Sequence, residues 1–124
     1  MDGANNGKMQ EERYAIDERR QVVDKILNAL ADKYNRLILT STIDEPKSAL
    51  QISKEHGIPA STVYRKLHML EKDGLIKVDG SVIDNGKRYY LYKSNIKAIN
   101  IIFTMNTLKV DVILNKDMKR SAYW

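Results

Sequence analysis

The sequence predicts an α+β fold, mainly helical, in which short helices are followed by β-hairpins. Three observations predict it. Apolar residues recur at helical spacing from residue 11 to residue 72. Past Gly74 the period drops to two, with Ile76, Val78 and Val82 alternating with polar neighbours. Asp84-Asn85-Gly86 then stands between two such runs, and Asn-Gly is a strong hairpin-turn signal because both residues tolerate positive φ. With 124 residues, one compact domain with tails is expected. A chain of this length buries a core without covalent staples.

Residues 1–10 are polar and read as a disordered tail. A first helix is expected from Glu11 to about Leu30, with Ile16, Val23, Ile26, Leu27 and Leu30 on one stripe and Asp17 to Arg20 on the polar side. Asp32 is a suitable N-cap for a second helix, Lys33–Ser41, which turns Leu37, Ile38 and Tyr34 toward the core. The stretch from Thr42 to Pro46 breaks this helix, since proline has no amide donor. Ser48 and Gln51 fit a capping box opening a short helix, 49–55, that presents Leu50 and Ile52 inward. Gly57 suits a left-handed cap, and Pro59 suits a helix start. His56 is then a C-terminal residue placed to meet helix-end carbonyls. The next helix, Ala60–Lys72, buries Val63, Leu67 and Leu70, and Gly74 closes it. Residues 75–93 form a β-hairpin whose return strand, Lys87 to Tyr92, is rich in β-favouring aromatics. Two readings stand for 96–115. Leu108, Val110, Val112 and Leu114 alternate as in a half-buried strand, pairing with Ile99–Phe103 across residues 104–107 in a second hairpin. The rival is a long helix from Asn95 that packs on a partner subunit.

Composition narrows the function. The absence of cysteine excludes disulfides, thiolate zinc sites, iron–sulfur clusters and a Cys nucleophile. With two histidines, His56 and His68, the composition argues against a multi-His metal centre, so no metal and no cofactor are expected. There is no Gly-rich phosphate loop, no Ser/His/Asp set and no paired-carboxylate signature, so the chain does not read as an enzyme. No apolar run reaches the ~20 residues of a membrane span. The N-terminal residues lack the apolar stretch of a signal peptide. A cytoplasmic, nucleoid-associated location is expected. The net charge is +5, from 21 basic and 16 acidic residues. Up to residue 59 there are 9 basic and 10 acidic side chains; beyond it there are 12 and 6. A one-sided basic excess suits a polyanionic partner or simply a soluble surface.

Helix, tight turn, helix and β-hairpin make a winged helix-turn-helix. A helix is the right width for the DNA major groove. With Val63, Leu67 and Leu70 inward, Ala60, Ser61, Tyr64, Arg65 and His68 lie outward, and Thr62 and Lys66 flank them. Ser61 and Thr62 can donate to phosphates or base edges. Arg65 can bond bidentately to guanine O6 and N7, and Tyr64 can pack on a thymine methyl. His68, one turn on, sits nearer the phosphates. Lys87 and Arg88, beside the wing turn, suit phosphates or an adjacent minor groove, contacts that set register rather than sequence. Tyr89, Tyr90 and Tyr92 read as packing residues.

Two stretches carry a family resemblance. Ile26 to Asp32 with Asn35-Arg36-Leu37-Ile38-Leu39 resembles the opening of ArsR-type winged-helix regulators. Ile58 to Ile76, with Ser61-Thr62-Val63 before Arg65 and then Asp73-Gly74-Leu75-Ile76, resembles their recognition helix and its exit into the wing. Gly86-Lys87-Arg88-Tyr89-Tyr90 matches the wing. The resemblance spans about residues 22–93 and implies a prokaryotic transcriptional regulator, dimeric, on a near-palindromic operator. Residues 11–93 would form the DNA-binding domain and 94–124 a C-terminal extension. Three departures stand out. The thiolate ligands of metal-sensing members are missing, Pro59 replaces the usual serine, and 96–115 reads as strands where many members dimerise through terminal helices. The dimer is expected to use residues 11–30 and 96–115, with Tyr123-Trp124 either a tail or a further contact. The function expected is sequence-specific binding of double-stranded DNA. The alternative is a winged-helix adaptor that binds protein through the same helix.

Overall fold

The computed structural model of the chain describes residues 20–116. Helix α1 (residues 20–31) is separated from α2 (Lys33–Ser41) by Asp32 alone. That joint is held by side chains. The Asp32 carboxylate accepts from the amides of Tyr34 at 2.8 Å and Asn35 at 3.1 Å, so it is the N-cap the sequence predicts. Two α2 side chains satisfy carbonyls left over at the end of α1. Arg36 Nη1 donates to the Leu30 carbonyl at 2.6 Å, and Asn35 Nδ2 to that of Ala29 at 3.1 Å.

The two-residue strand β1 (Lys47–Ser48) leads into α3 (Ala49–His56). The capping box is half realised. Ser48 Oγ accepts from the Gln51 amide at 3.1 Å, but Gln51 Nε2 turns to Glu55 at 3.2 Å instead of reaching back, because Ser48 lies in β1 against Leu91. Gly57 takes the left-handed conformation, φ 63°, as expected. Ser53 clamps the turn: its carbonyl accepts from the Ile58 amide at 3.2 Å and its Oγ donates to the Ile58 carbonyl at 2.5 Å. His56 is the last residue of α3, as expected, but its Nε2 is buried with no hydrogen-bond partner among the described residues. After Pro59 comes α4 (Ala60–Lys72).

Strands β2 (Ile76–Asp84) and β3 (Lys87–Ser94) pair antiparallel, and β1 adds to the other side of β3, giving the order β1-β3-β2. Asn85 at φ 53° and Gly86 at φ 79° form the tight turn, so the Asn-Gly signal holds. A register shift between Val78 and Ser81 contains Gly80 at φ 101°, a bulge that bends the wing.

Residues 96–115 form the second hairpin and not the long helix. β4 (Ile96–Phe103) pairs antiparallel with β5 (Leu108–Leu114). Its base is tied to the domain through asparagines. The Asn95 amide donates to the Leu75 carbonyl and Asn95 Nδ2 to that of Gly74, both at 2.9 Å. Asn115 Nδ2 donates to the carbonyls of Ile43 at 2.8 Å and Ser94 at 3.0 Å. Beyond its base the hairpin is mostly exposed: Ile99 and Val110 are half-buried against the domain core, while Leu108, Val112 and Leu114 of the alternating set are open among the described residues.

The core lies between the four helices and the base of the wing. Ile38, Ile52, Val63, Leu67, Leu70 and Ile76 are fully buried in it. Two expected core residues are not. Leu37 is 37% exposed, because α2 turns Asn35, Ile38, Leu39 and Thr42 inward at helical spacing. Leu50 is 39% exposed, because α3 buries Ala49 and Ile52 and leaves Leu50 facing the wing. On α1, Ile26 and Ala29 are buried and Val23, Leu27 and Leu30 half-buried. The expectations for residues 1–10, for Ile16 and for Tyr123-Trp124 lie outside the described residues.

Candidate nucleic-acid interface

Helix α4 presents three faces. Val63, Leu67 and Leu70 face the core. Ser61, Arg65 and His68 are exposed and are spaced four and three residues apart, so they form a single outward stripe. Lys72 is exposed at the next position of that stripe, four beyond His68. Sequence reasoning passed over Lys72, although its spacing from Arg65 is legible. Ala60 and Thr62 are half-buried at the helix start.

The two flanks of α4 differ. On one side Tyr64 joins Ser48, Leu50, Lys87, Arg88 and Tyr90 around a cleft of about 420 Å³ between the helix and the wing. β1 pairs only with Leu91 and Tyr92, so the edge of β3 from Lys87 to Tyr90 is left open beside this cleft. Tyr92 lies deeper, and burial, with Glu71 nearby, pushes its hydroxyl above the usual 10.0. Of the aromatic residues of β3, Tyr89 and Tyr92 are half-buried, as packing residues would be, and Tyr90 is exposed.

Lys66 is on the other flank and is turned away from the stripe. Its Nζ meets Asp32 Oδ2 at 2.5 Å, joining α4 to the α1–α2 joint. Hydrogen bonding from Lys66 is the main cause holding the Asp32 carboxyl below its usual 3.8, and the amides of Asn35 and Tyr34 act in the same direction. Lys66 thus pairs its charge with Asp32 and does not join the outward stripe. Met69 is exposed between the stripe and this flank.

The electrostatics are set by these placements. Lys47 is paired with Glu55 at 2.8 Å and Lys66 with Asp32. Among the described residues Arg65, Lys72, Lys87 and Arg88 have no carboxylate within 4.0 Å. The stripe and the wing tip therefore offer uncompensated positive charge. Among the same residues no group of three or more His, Cys, Asp or Glu is placed to hold a metal ion. No helix among them is long and apolar enough to cross a membrane.

Comparison with known proteins agrees with this architecture. A helix-turn-helix domain family matches residues 30–79, from the end of α1 into the wing. HlyU from Vibrio cholerae N16961 superposes with a TM-score of 0.50 at 20% identity, over 61% of this chain and 77% of that one. NolR from Sinorhizobium fredii superposes with a TM-score of 0.52 at 22% identity, over 64% of this chain and 75% of that one. The fold is a winged helix-turn-helix. In it α3 and α4 are the two helices of the helix-turn-helix and β2–β3 is the wing. The resemblance read from Ile58–Ile76 and Gly86–Tyr90 holds at the level of this fold. No curated protein matches the chain in sequence.

Proposed function

We propose that the protein is a transcriptional regulator that binds double-stranded DNA sequence-specifically as a homodimer. The observation that carries the reading is the shared cleft between recognition helix and wing. It brings Tyr64, Lys87 and Arg88 together beside the outward stripe of Ser61, Arg65, His68 and Lys72. In this reading α4 enters the major groove with Arg65 on a guanine edge, and Ser61 and Thr62 reach the backbone at the helix start. Lys87, Arg88 and Lys72 neutralise phosphates and His68 donates a hydrogen bond to them, which fixes register without reading bases. The chain acts by binding and not by catalysis, in the cytoplasm where its DNA is.

Fluorescence anisotropy of a labelled random-pool duplex at two salt concentrations tests this. Affinity should fall steeply with salt, because each neutralised phosphate releases counterions. Arg65→Ala should cost about 1–3 kcal/mol on a selected operator and relax preference at one base pair. Lys87→Ala should weaken all sequences alike and flatten the salt slope by about one. A folded protein that binds no duplex at low salt would shift the α4 surface to a protein partner, the adaptor reading.

A further inference from the structure

The C-terminal hairpin carries more apolar surface than the described residues cover. Directly paired residues of an antiparallel ladder share a face. Ile99 faces Val112, Ile101 faces Val110 and Phe103 faces Leu108, so these six form one face with no polar side chain on it. The opposite face is broken by Asn100, Lys109 and Asp111. On the apolar face Ile99 and Val110 lean against the domain core. Ile101, Phe103, Leu108 and Val112 extend past it, with Phe103 81% exposed and Ile101 45%.

We propose that this face seats the same face of a second copy of the chain, so that the β4–β5 hairpin is the two-fold dimer contact. Three arguments select a second copy as the occupant. An isolated two-stranded hairpin is marginally stable in water and needs a third strand or a packed face. Among the described residues β4–β5 is hydrogen-bonded to the domain only around its base, through Asn95 and Asn115, so a cover present whenever the chain is would stabilise it. A second copy meets that condition. Next, the face must meet an uncharged apolar surface, and it is itself one, as an isologous two-fold contact requires. A chain of net charge +5 repels its copy least where no charge is carried. Finally, the open part of the face is contiguous, with Phe103 81%, Ile101 and Leu108 45% and Val112 37% exposed, and a contiguous exposed apolar patch marks an interaction site.

The proposal supplies the surface for the homodimer in the reading above, but its test needs no DNA. Sedimentation velocity of the full chain should give twice the 14.3 kDa of one chain. Phe103→Glu should raise the dimer dissociation constant roughly 30-fold or more, since it puts a charge within an apolar contact. Because Phe103 is so exposed, circular dichroism of that variant should be unchanged apart from the hairpin. Ile101→Glu should act in the same direction. Ile102→Glu, 48% exposed on the opposite face, should leave the dimer intact. A monomeric wild type would overturn the proposal. So would a dimer that survives both Phe103→Glu and Ile101→Glu, or one that Ile102→Glu disrupts equally. A dimer that binds no DNA would sink the regulator reading alone; a monomer that binds DNA would sink this inference alone.

Discussion

Asp32 and Lys66 show how a single pair shapes this molecule. The Asp32 carboxylate caps α2 through two amides and binds Lys66 of the recognition helix, so one residue fixes the end of α1, the start of α2 and the flank of α4. Its carboxyl is held below the usual 3.8 in the folded chain. A depressed carboxyl stabilises the fold above its unfolded value and loses that contribution as pH falls through the folded value. Unfolding free energy measured by urea titration should therefore decline below about pH 4, and Asp32→Asn should flatten that decline. Asp32→Ala should cost about 1–2 kcal/mol at neutral pH through loss of the cap. Lys66→Ala should lower stability by about 1 kcal/mol or less and leave the DNA salt slope unchanged, in contrast to Lys87→Ala. A reduced slope for Lys66→Ala would return Lys66 to the phosphate-binding set.

The turn between α3 and α4 sets how the recognition helix is offered. Gly57 at φ 63° has open space where a Cβ would stand, so substitution there is resisted by the backbone and not by a clash. Gly57→Ala should destabilise by about 1–2 kcal/mol, the strain of a left-handed L-residue, read as a shift in the denaturation midpoint. An unchanged midpoint would mean that the turn relaxes. The wing was legible for equally local reasons: Asn85 and Gly86 both adopt the positive φ that their turn type demands. Other element features have no local signature. The bulge at Gly80 and the two-residue strand β1 depend on pairing with β3, so nothing in residues 47–48 or 78–81 announces them.

At the scale of the whole molecule, a two-fold dimer on B-DNA should place its recognition helices about one helical turn apart, ~34 Å. Sequences selected from a random pool should then be near-palindromic, with half-site centres about 10 base pairs apart. Selection of a single asymmetric site would contradict a symmetric dimer. Phe103→Glu should lose most of the affinity for the paired site and keep that for a half-site, because the two recognition helices would no longer be linked.

The helix boundaries from Lys33 to Lys72, the wing hairpin and the stripe of Ser61, Arg65 and His68 were readable from residues alone, whereas 96–115 stood between hairpin and helix until the structure showed β4 and β5. Each rests on period, caps or turn residues within a few positions. The removal of Lys66 from the outward surface, the exposure of Leu37 and Leu50, and the burial of Asn35, Thr42 and Ser94 were not readable. Thr42 shows why. It is buried because its hydroxyl donates to Ile38 within its own helix and its carbonyl accepts from Ser94, more than 50 residues away. Lys66 likewise finds Asp32 across 34 positions. A residue's period states which way it points along its own element. Whether a neighbour satisfies its polar group there depends on how the elements pack, and that packing brings together residues that no local pattern connects.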